Sequence, residues 1–198
     1  MECDPHIVPR LRRRLARGGS SAGSTTAAQR ERKATTFMRN ARQPIRVRWA
    51  TPADHDSVTS LVLRLLSELF DPVECGYSRE TLAPAVEKLI CDGSGSWALL
   101  AYRDQDAPVG ILTLNECTAI YAFGRFGEIS ELYVDPESRS AGVGAALVDE
   151  AIRFGRERGW SLLEVGAPDV SKWQRTVDFY LRRGFSMVGP RLTRDLDA

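Results

Sequence analysis

The chain alternates between two hydrophobic rhythms. Residues 45–50 (IRVRWA) place apolar side chains at every second position, the period of a half-buried strand. From Thr51 the period lengthens, and Val58, Leu61, Val62, Leu65, Leu66 and Phe70 recur at the spacing of one helix face. Thr51-Pro52-Ala53-Asp54 supplies the helix start: Thr as N-cap, Pro at the first position and an acid at the third. Asp71-Pro72 ends that helix, and Ser78 opens a second with Leu82, Val86, Leu89 and Ile90 on one face. Two β-rich runs, 97–103 and 109–115, flank 104–108 and predict a hairpin. Residues 116–127 read as a loop rich in aromatics (Tyr121, Phe123, Phe126). A strand over 129–134 follows. Next comes a helix over 141–158, with Val143, Ala146, Leu147, Ala151 and Phe154 inward and Gly159 closing it. A strand over 160–165, a helix over 171–183 ended by Gly184, and a hairpin of 185–188 with 192–196 complete the series.

Hairpins combined with a strand–helix–strand crossover predict an α+β fold, with a mixed, mostly antiparallel sheet flanked by about four helices. A length of 198 residues, 43% hydrophobic and 27% charged, suits one domain with some extra length. We expect that domain over residues 45–198. Residues 1–46 carry 11 Lys/Arg against 3 Asp/Glu, a net +8, while residues 47–198 carry 16 against 23, a net −7. The segment 1–44 is poor in apolar residues and is expected to be a disordered basic arm. Three readings compete for it: a nucleic-acid-binding arm, an organelle transit peptide, or an appendage preceding a start at Met38. Basic tails without aromatics are weakly specific, so the last is the plainest reading. No apolar stretch makes a signal peptide or approaches the ~20 residues of a bilayer span. A cytoplasmic protein with no membrane partner is therefore expected, with nucleic acid a candidate partner only through the arm. Cys3, Cys75, Cys91 and Cys117 form no CxxC, and two histidines, His6 and His55, make no ligand cluster. A reducing compartment and no metal are expected.

The candidate chemistry lies in residues 129–147, ISELYVDPESRSAGVGAAL. A β-favouring run stops at Asp135-Pro136, and Arg139-Ser140-Ala141-Gly142-Val143-Gly144 then leads into a helix. N–H groups at a helix N-terminus lack intrahelical partners, and the helix dipole adds positive potential there, so the turn suits a phosphate. Gly142 and Gly144 remove side chains that would keep a diphosphate away, and Arg139 adds a charge with fork geometry. The spacing is neither GxxxxGK[ST] nor GxGxxG, since Leu147 stands where the third Gly would be. R-x-x-G-x-G after a strand ending in Val-x-Pro resembles the acetyl-CoA signature of the GNAT superfamily of N-acetyltransferases. The resemblance covers roughly residues 45–190 and extends to Asp178-Phe179-Tyr180-Leu181-Arg182-Arg183-Gly184-Phe185, which is similar to the family's second motif, FY-x-x-x-GF.

The resemblance implies an acetyl-CoA-dependent transfer to a primary amine, by direct attack in a ternary complex. Ser140, Ala141, Gly142, Val143, Gly144 and Ala145, with Arg139, would hold the pyrophosphate. The strand at Leu132, Tyr133 and Val134 would pair with the pantetheine arm and supply the oxyanion donor. Tyr180 matches the tyrosine that protonates the departing thiolate. Two carboxylates are candidate bases, Glu128 as in the histone-acetylating branch and Glu131 as in small-amine enzymes. A regular strand sets them on opposite faces, and a bulge would re-aim one. The family's Asn and Ala before the tyrosine are here Trp173 and Thr176, which puts one pantetheine contact in question. The acids Glu68, Asp71, Glu74 and Glu116 would attract a cationic small-molecule amine or remain a solvated surface. A non-catalytic acyl-CoA sensor and a protein or peptide N-acetyltransferase are the alternatives. Composition leaves oligomeric state open, a homodimer included. A valine at Gly142 is expected to fill the phosphate's place without unfolding the domain.

Overall fold

The computed structural model describes residues 44–70, 76–91, 93, 95–103, 107–166 and 170–189. The arm expected over 1–44 lies outside them except for Pro44, as do Asp71, Glu74 and the run 192–196.

Strand β1 (Arg46–Trp49) leads into a 3-10 turn (Pro52–Asp54) and helix α1 (His55–Leu69). Thr51 and Asp54 cap that turn reciprocally, as the T-x-x-D spacing predicts. Helix α2 (Arg79–Cys91) follows, then β2 (Ser96–Tyr102), β3 (Pro108–Ala119), β4 (Gly124–Val134), α3 (Val143–Glu157), β5 (Leu163–Val165) and α4 (Val170–Arg182). The sheet order is β1-β2-β3-β4-β5, antiparallel except for the parallel β4–β5 pair that the α3 crossover imposes.

Each face of the sheet buries its own core. Leu99, Ala101, Leu112, Leu114 and Ile129 meet Leu147, Val148 and Ala151 of α3 and Tyr180 of α4. Ala98, Leu100, Tyr102, Ile111 and Tyr133 face Val58, Leu61 and Val62 of α1 and Val86 of α2. Burying a large aliphatic side chain is worth about 1.5–3 kcal/mol, so the two faces together dominate the fold's stability.

Three expectations change. Residues 116–127 are not a loop. Thr118↔Arg125, Cys117↔Phe126 and Glu116↔Gly127 continue the β3–β4 ladder to a four-residue turn, 120–123. That arm lacks a clean apolar alternation, because backbone pairing extends it beyond the helical cover. The strand expected over 160–165 shortens to Leu163–Val165, because Trp160 leaves the ladder. The Trp160 ring fills a slot floored by Gly127 and Gly155, where an added Cβ would come within 2.2 and 2.8 Å of it, and its Nε1 donates to Glu116 at 2.7 Å. Finally, residues 185–188 form no strand.

Candidate functional site

Beyond Ile129 the β3–β4 register slips. Leu114 opposes Ile129 but Leu112 opposes Leu132, so Ser130 and Glu131 together face Thr113. This bulge has a large consequence. Ile129 and Leu132 both turn to the α3–α4 core, although they are three positions apart. Their neighbours Glu128 and Glu131 therefore share the opposite face, the one covered by α1 and α2, where a regular strand would have separated them. Thr113 Oγ1 donates to the Glu131 carboxylate and accepts the Glu131 N–H at 3.0 Å. Burial pushes the Glu131 carboxyl above its ordinary range, and the Thr113 hydrogen bond opposes that shift. Further along the same face, Cys117 Sγ donates to Glu128 Oε2 at 3.8 Å. Asn115 accepts from Ser96 Oγ at 2.6 Å and donates to Ser130 Oγ at 2.7 Å. The result is a polar strip interrupting an otherwise apolar face.

The other half of the site is an opening in the sheet. Strand β5 pairs with Gly127–Ile129 of β4 and ends at Val165, so residues 130–134 have no strand neighbour on that side among the described residues. Leu132 and Val134 pack against the α3–α4 core and Tyr133 enters the α1–α2 core, which leaves backbone polar groups at this edge.

The opening leads to the turn before α3. Ser140 and Gly142 are left-handed, at φ 61° and 91°, and the first bond within α3 runs from Ala146 N–H to the Gly142 carbonyl at 2.9 Å. The N–H groups of Val143, Gly144 and Ala145 thus precede the helical ladder and have no partner within it. Val143 is buried, so it offers only its backbone; Ala141 and Ala145 are half-buried. An N-terminus with two left-handed residues, beside a strand edge rich in amide groups, fits a diphosphate carried on an amide-bearing arm. Gly142 also corrects an expectation. At φ 91° a valine is strained whatever the space, so Gly142→Val would disturb the turn itself.

The Arg139 side chain, expected at the pyrophosphate, is bonded to two other elements. Its Nε donates to the Val134 carbonyl at 2.9 Å, and its Nη2 reaches both oxygens of Glu68 on α1 at 2.7 Å. On the other side, Arg175 of α4 donates from Nη2 to Ser140 Oγ at 2.9 Å. The sequence offered no signal for Arg175, because the contact joins elements 35 positions apart and no local spacing encodes it.

Tyr180 is buried against Phe179 and Phe185, with ring centroids at 5.2 and 5.3 Å. Burial holds its phenol well above the usual range. At Trp173, where the resemblance leads one to expect Asn, α4 is kinked (φ −125°, ψ 30°). Among the acids expected to attract a cation, Glu116 is already held by Arg158 at 2.9 Å, Trp160 and Arg125, which lower its pKa. It braces the β4–β5 junction. Glu68 is occupied by Arg139. Among the described residues no group of three metal-ligating side chains exists, and no helix is long and apolar enough to cross a membrane.

Three comparisons bear on this geometry. The profile of the acetyltransferase (GNAT) family matches residues 62–185. The chain is similar to the aminoalkylphosphonate N-acetyltransferase of Salmonella typhimurium, with 30% identity over 152 residues, 76% of this chain and 90% of that protein. It also matches an uncharacterized N-acetyltransferase of Methanocaldococcus jannaschii at 38% identity over 58 residues; that match spans 29% of this chain and a quarter (25%) of the relative's length. Among solved structures, a ribosomal-protein-alanine N-acetyltransferase from Brucella melitensis biovar Abortus 2308 superposes with a TM-score of 0.63 at 20% identity. It covers 77% of this chain and 100% of that one, a likeness of fold.

Proposed function

The chain belongs to the acetyltransferase (GNAT) family, and we propose that it moves the acetyl group of acetyl-CoA onto the primary amine of a small molecule by direct attack in a ternary complex. The observation that carries this reading is the β4 bulge. It sets a half-buried carboxylate of raised pKa on the face under α1 and α2, next to a strand edge without a strand neighbour among the described residues. The similarity to an aminoalkylphosphonate N-acetyltransferase supports a small amine as acceptor.

An alkylammonium of pKa near 10 must lose a proton before it can attack. Glu131 is the base we assign. A carboxylate whose pKa is raised by burial is better matched to that proton, and Thr113 fixes its orientation from two directions. Glu128 shares the face and adds negative charge that favours a cationic acceptor. A backbone N–H on the open side of β4, that of Leu132 or Val134, is the donor for charge developing on the carbonyl oxygen. Acetyl-CoA supplies an activated acyl group on sulfur. Tyr180 then takes a narrower role than its sequence position suggests. A phenol raised by burial is a weaker acid than a thiol of pKa about 8.5, so full proton transfer to a thiolate runs uphill. It acts as a hydrogen-bond donor to the sulfur and keeps its proton across the working pH range.

The test is calorimetric titration of the full chain with acetyl-CoA, then an amine panel including aminoalkylphosphonates, followed by thiol release. Saturable binding with turnover on at least one small amine is expected. Binding with no turnover on any amine or peptide would make the chain an acyl-CoA sensor, and no binding would sink the reading.

A further inference from the structure

Helix α1 and the β4–α3 connection exchange charge twice. Arg64 donates to Asp135 at 2.7 Å, and four residues further along each segment Glu68 receives Arg139 at 2.7 Å. The second pair stands at the rim of the turn that offers its N–H groups to a diphosphate. Arg139 cannot leave freely, because its Nε is also bonded to the Val134 carbonyl. The side chains are 43% and 31% exposed, so the pair adds little to stability, about 0–1 kcal/mol for pairs of this kind. Its electrostatic consequence is larger. An arginine beside a phosphate site would raise affinity, but here a carboxylate cancels that charge at contact distance.

We propose that Glu68 is a positioning residue that limits how tightly the phosphates of CoA are held, by neutralising Arg139 at the rim of the turn. This rests on the function inferred above. The phosphates are common to substrate and product, so a grip on them is uniform binding. Strengthening it lowers KM for acetyl-CoA without lowering the chemical barrier, and it slows departure of CoA. Glu68 keeps the grip weak enough for release. Because Glu68 belongs to α1, the helix on the acceptor side also sets the charge of the cosubstrate turn.

The proposal predicts an ordering set by net charge at the rim. Glu68→Gln leaves +1, Arg139→Gln leaves −1, and the double variant is neutral like the parent. Gln at 139 retains an amide donor for the Val134 carbonyl, so the turn keeps that bond. CoA binding to the full chain is measured by calorimetry at low and at high salt, beside thermal unfolding. Glu68→Gln should tighten CoA about three- to tenfold at low salt, the effect of one screened charge near a multiply charged anion, and the gain should shrink as salt rises. Arg139→Gln should weaken binding by a similar factor, and the double variant should return to the parent's affinity. Glu68→Gln binding CoA no better than the parent would overturn the proposal, as would a double variant no better than Arg139→Gln. Failure of the parent to bind CoA at all would overturn the proposed function as well, so the two failures are distinguishable.

Discussion

Asp54 and Glu131 both lie on the α1–α2 side of the sheet, and both are carboxylates withdrawn from water. Asp54 sits in a knot: Arg48 reaches its two oxygens at 2.7 and 2.8 Å, Thr51 donates from N–H and hydroxyl at 2.8 Å each, and Arg48 also meets Tyr102 at 2.5 Å. The Arg48 guanidinium holds the Asp54 carboxyl far below the usual carboxylate range. Glu131 receives one threonine hydroxyl, and burial wins, moving its carboxyl the other way. The difference is the number of donors supplied per charge. A carboxylate given a guanidinium and two further bonds is fixed as an anion and serves the fold. One given a single hydroxyl is left ready to take a proton.

The sharpest way to break this comparison is Glu131→Gln. It should cost about 10²- to 10⁴-fold in kcat, the usual worth of a positioned base. Thermal unfolding at pH 8 should meanwhile stay level or rise. The sign follows from linkage. A folded-state pKa above the unfolded one gives stability that is lost as pH rises through the folded value, and the neutral amide does not lose it. A kcat within threefold of the parent would remove Glu131 from the role of base.

The converse change, Asp54→Asn, should leave kcat nearly untouched and cost about 2 kcal/mol in urea unfolding, the scale of hydrogen bonds to a charged group. A smaller and subtler effect separates the two acids by pH. Asp54 has a depressed folded pKa, so its stabilisation is complete above the unfolded value and fades only as pH falls towards the folded one. Glu131 titrates above the ordinary glutamate range, so kcat should fall on acidification while the chain remains folded by circular dichroism. An acid limb that persists in Glu131→Gln would assign it to another group.

The two hydrophobic rhythms made the helices and inner strands legible, because period and burial coincide there. The T-P-A-D start was also readable, since a capping spacing has a local cause. The bulge was not. One extra residue between Ile129 and Leu132 is invisible until β3 is laid beside β4, yet it decides whether Glu128 and Glu131 share a face. The Arg139 ion pair was hidden for a related reason. The motif position of Arg139 suggests a phosphate ligand and says nothing of its partner Glu68, which lies 71 positions earlier. The long β3–β4 arm was mistaken for a loop because Ile120 and Phe123 at its turn, 95% and 97% exposed, carry no strand-like alternation.

Strand β5 stops after three residues, and that brevity has a consequence for the life of the protein in a cell. The β4 edge it leaves without a strand neighbour among the described residues is a template for any extended chain, the feature that lets one sheet recruit another and precipitate. Under the function proposed above, the partner that edge accepts is a small soluble thioester. Its supply would then act as a guard against self-association, with resistance to clumping and to proteolysis following the ratio of its concentration to its Kd.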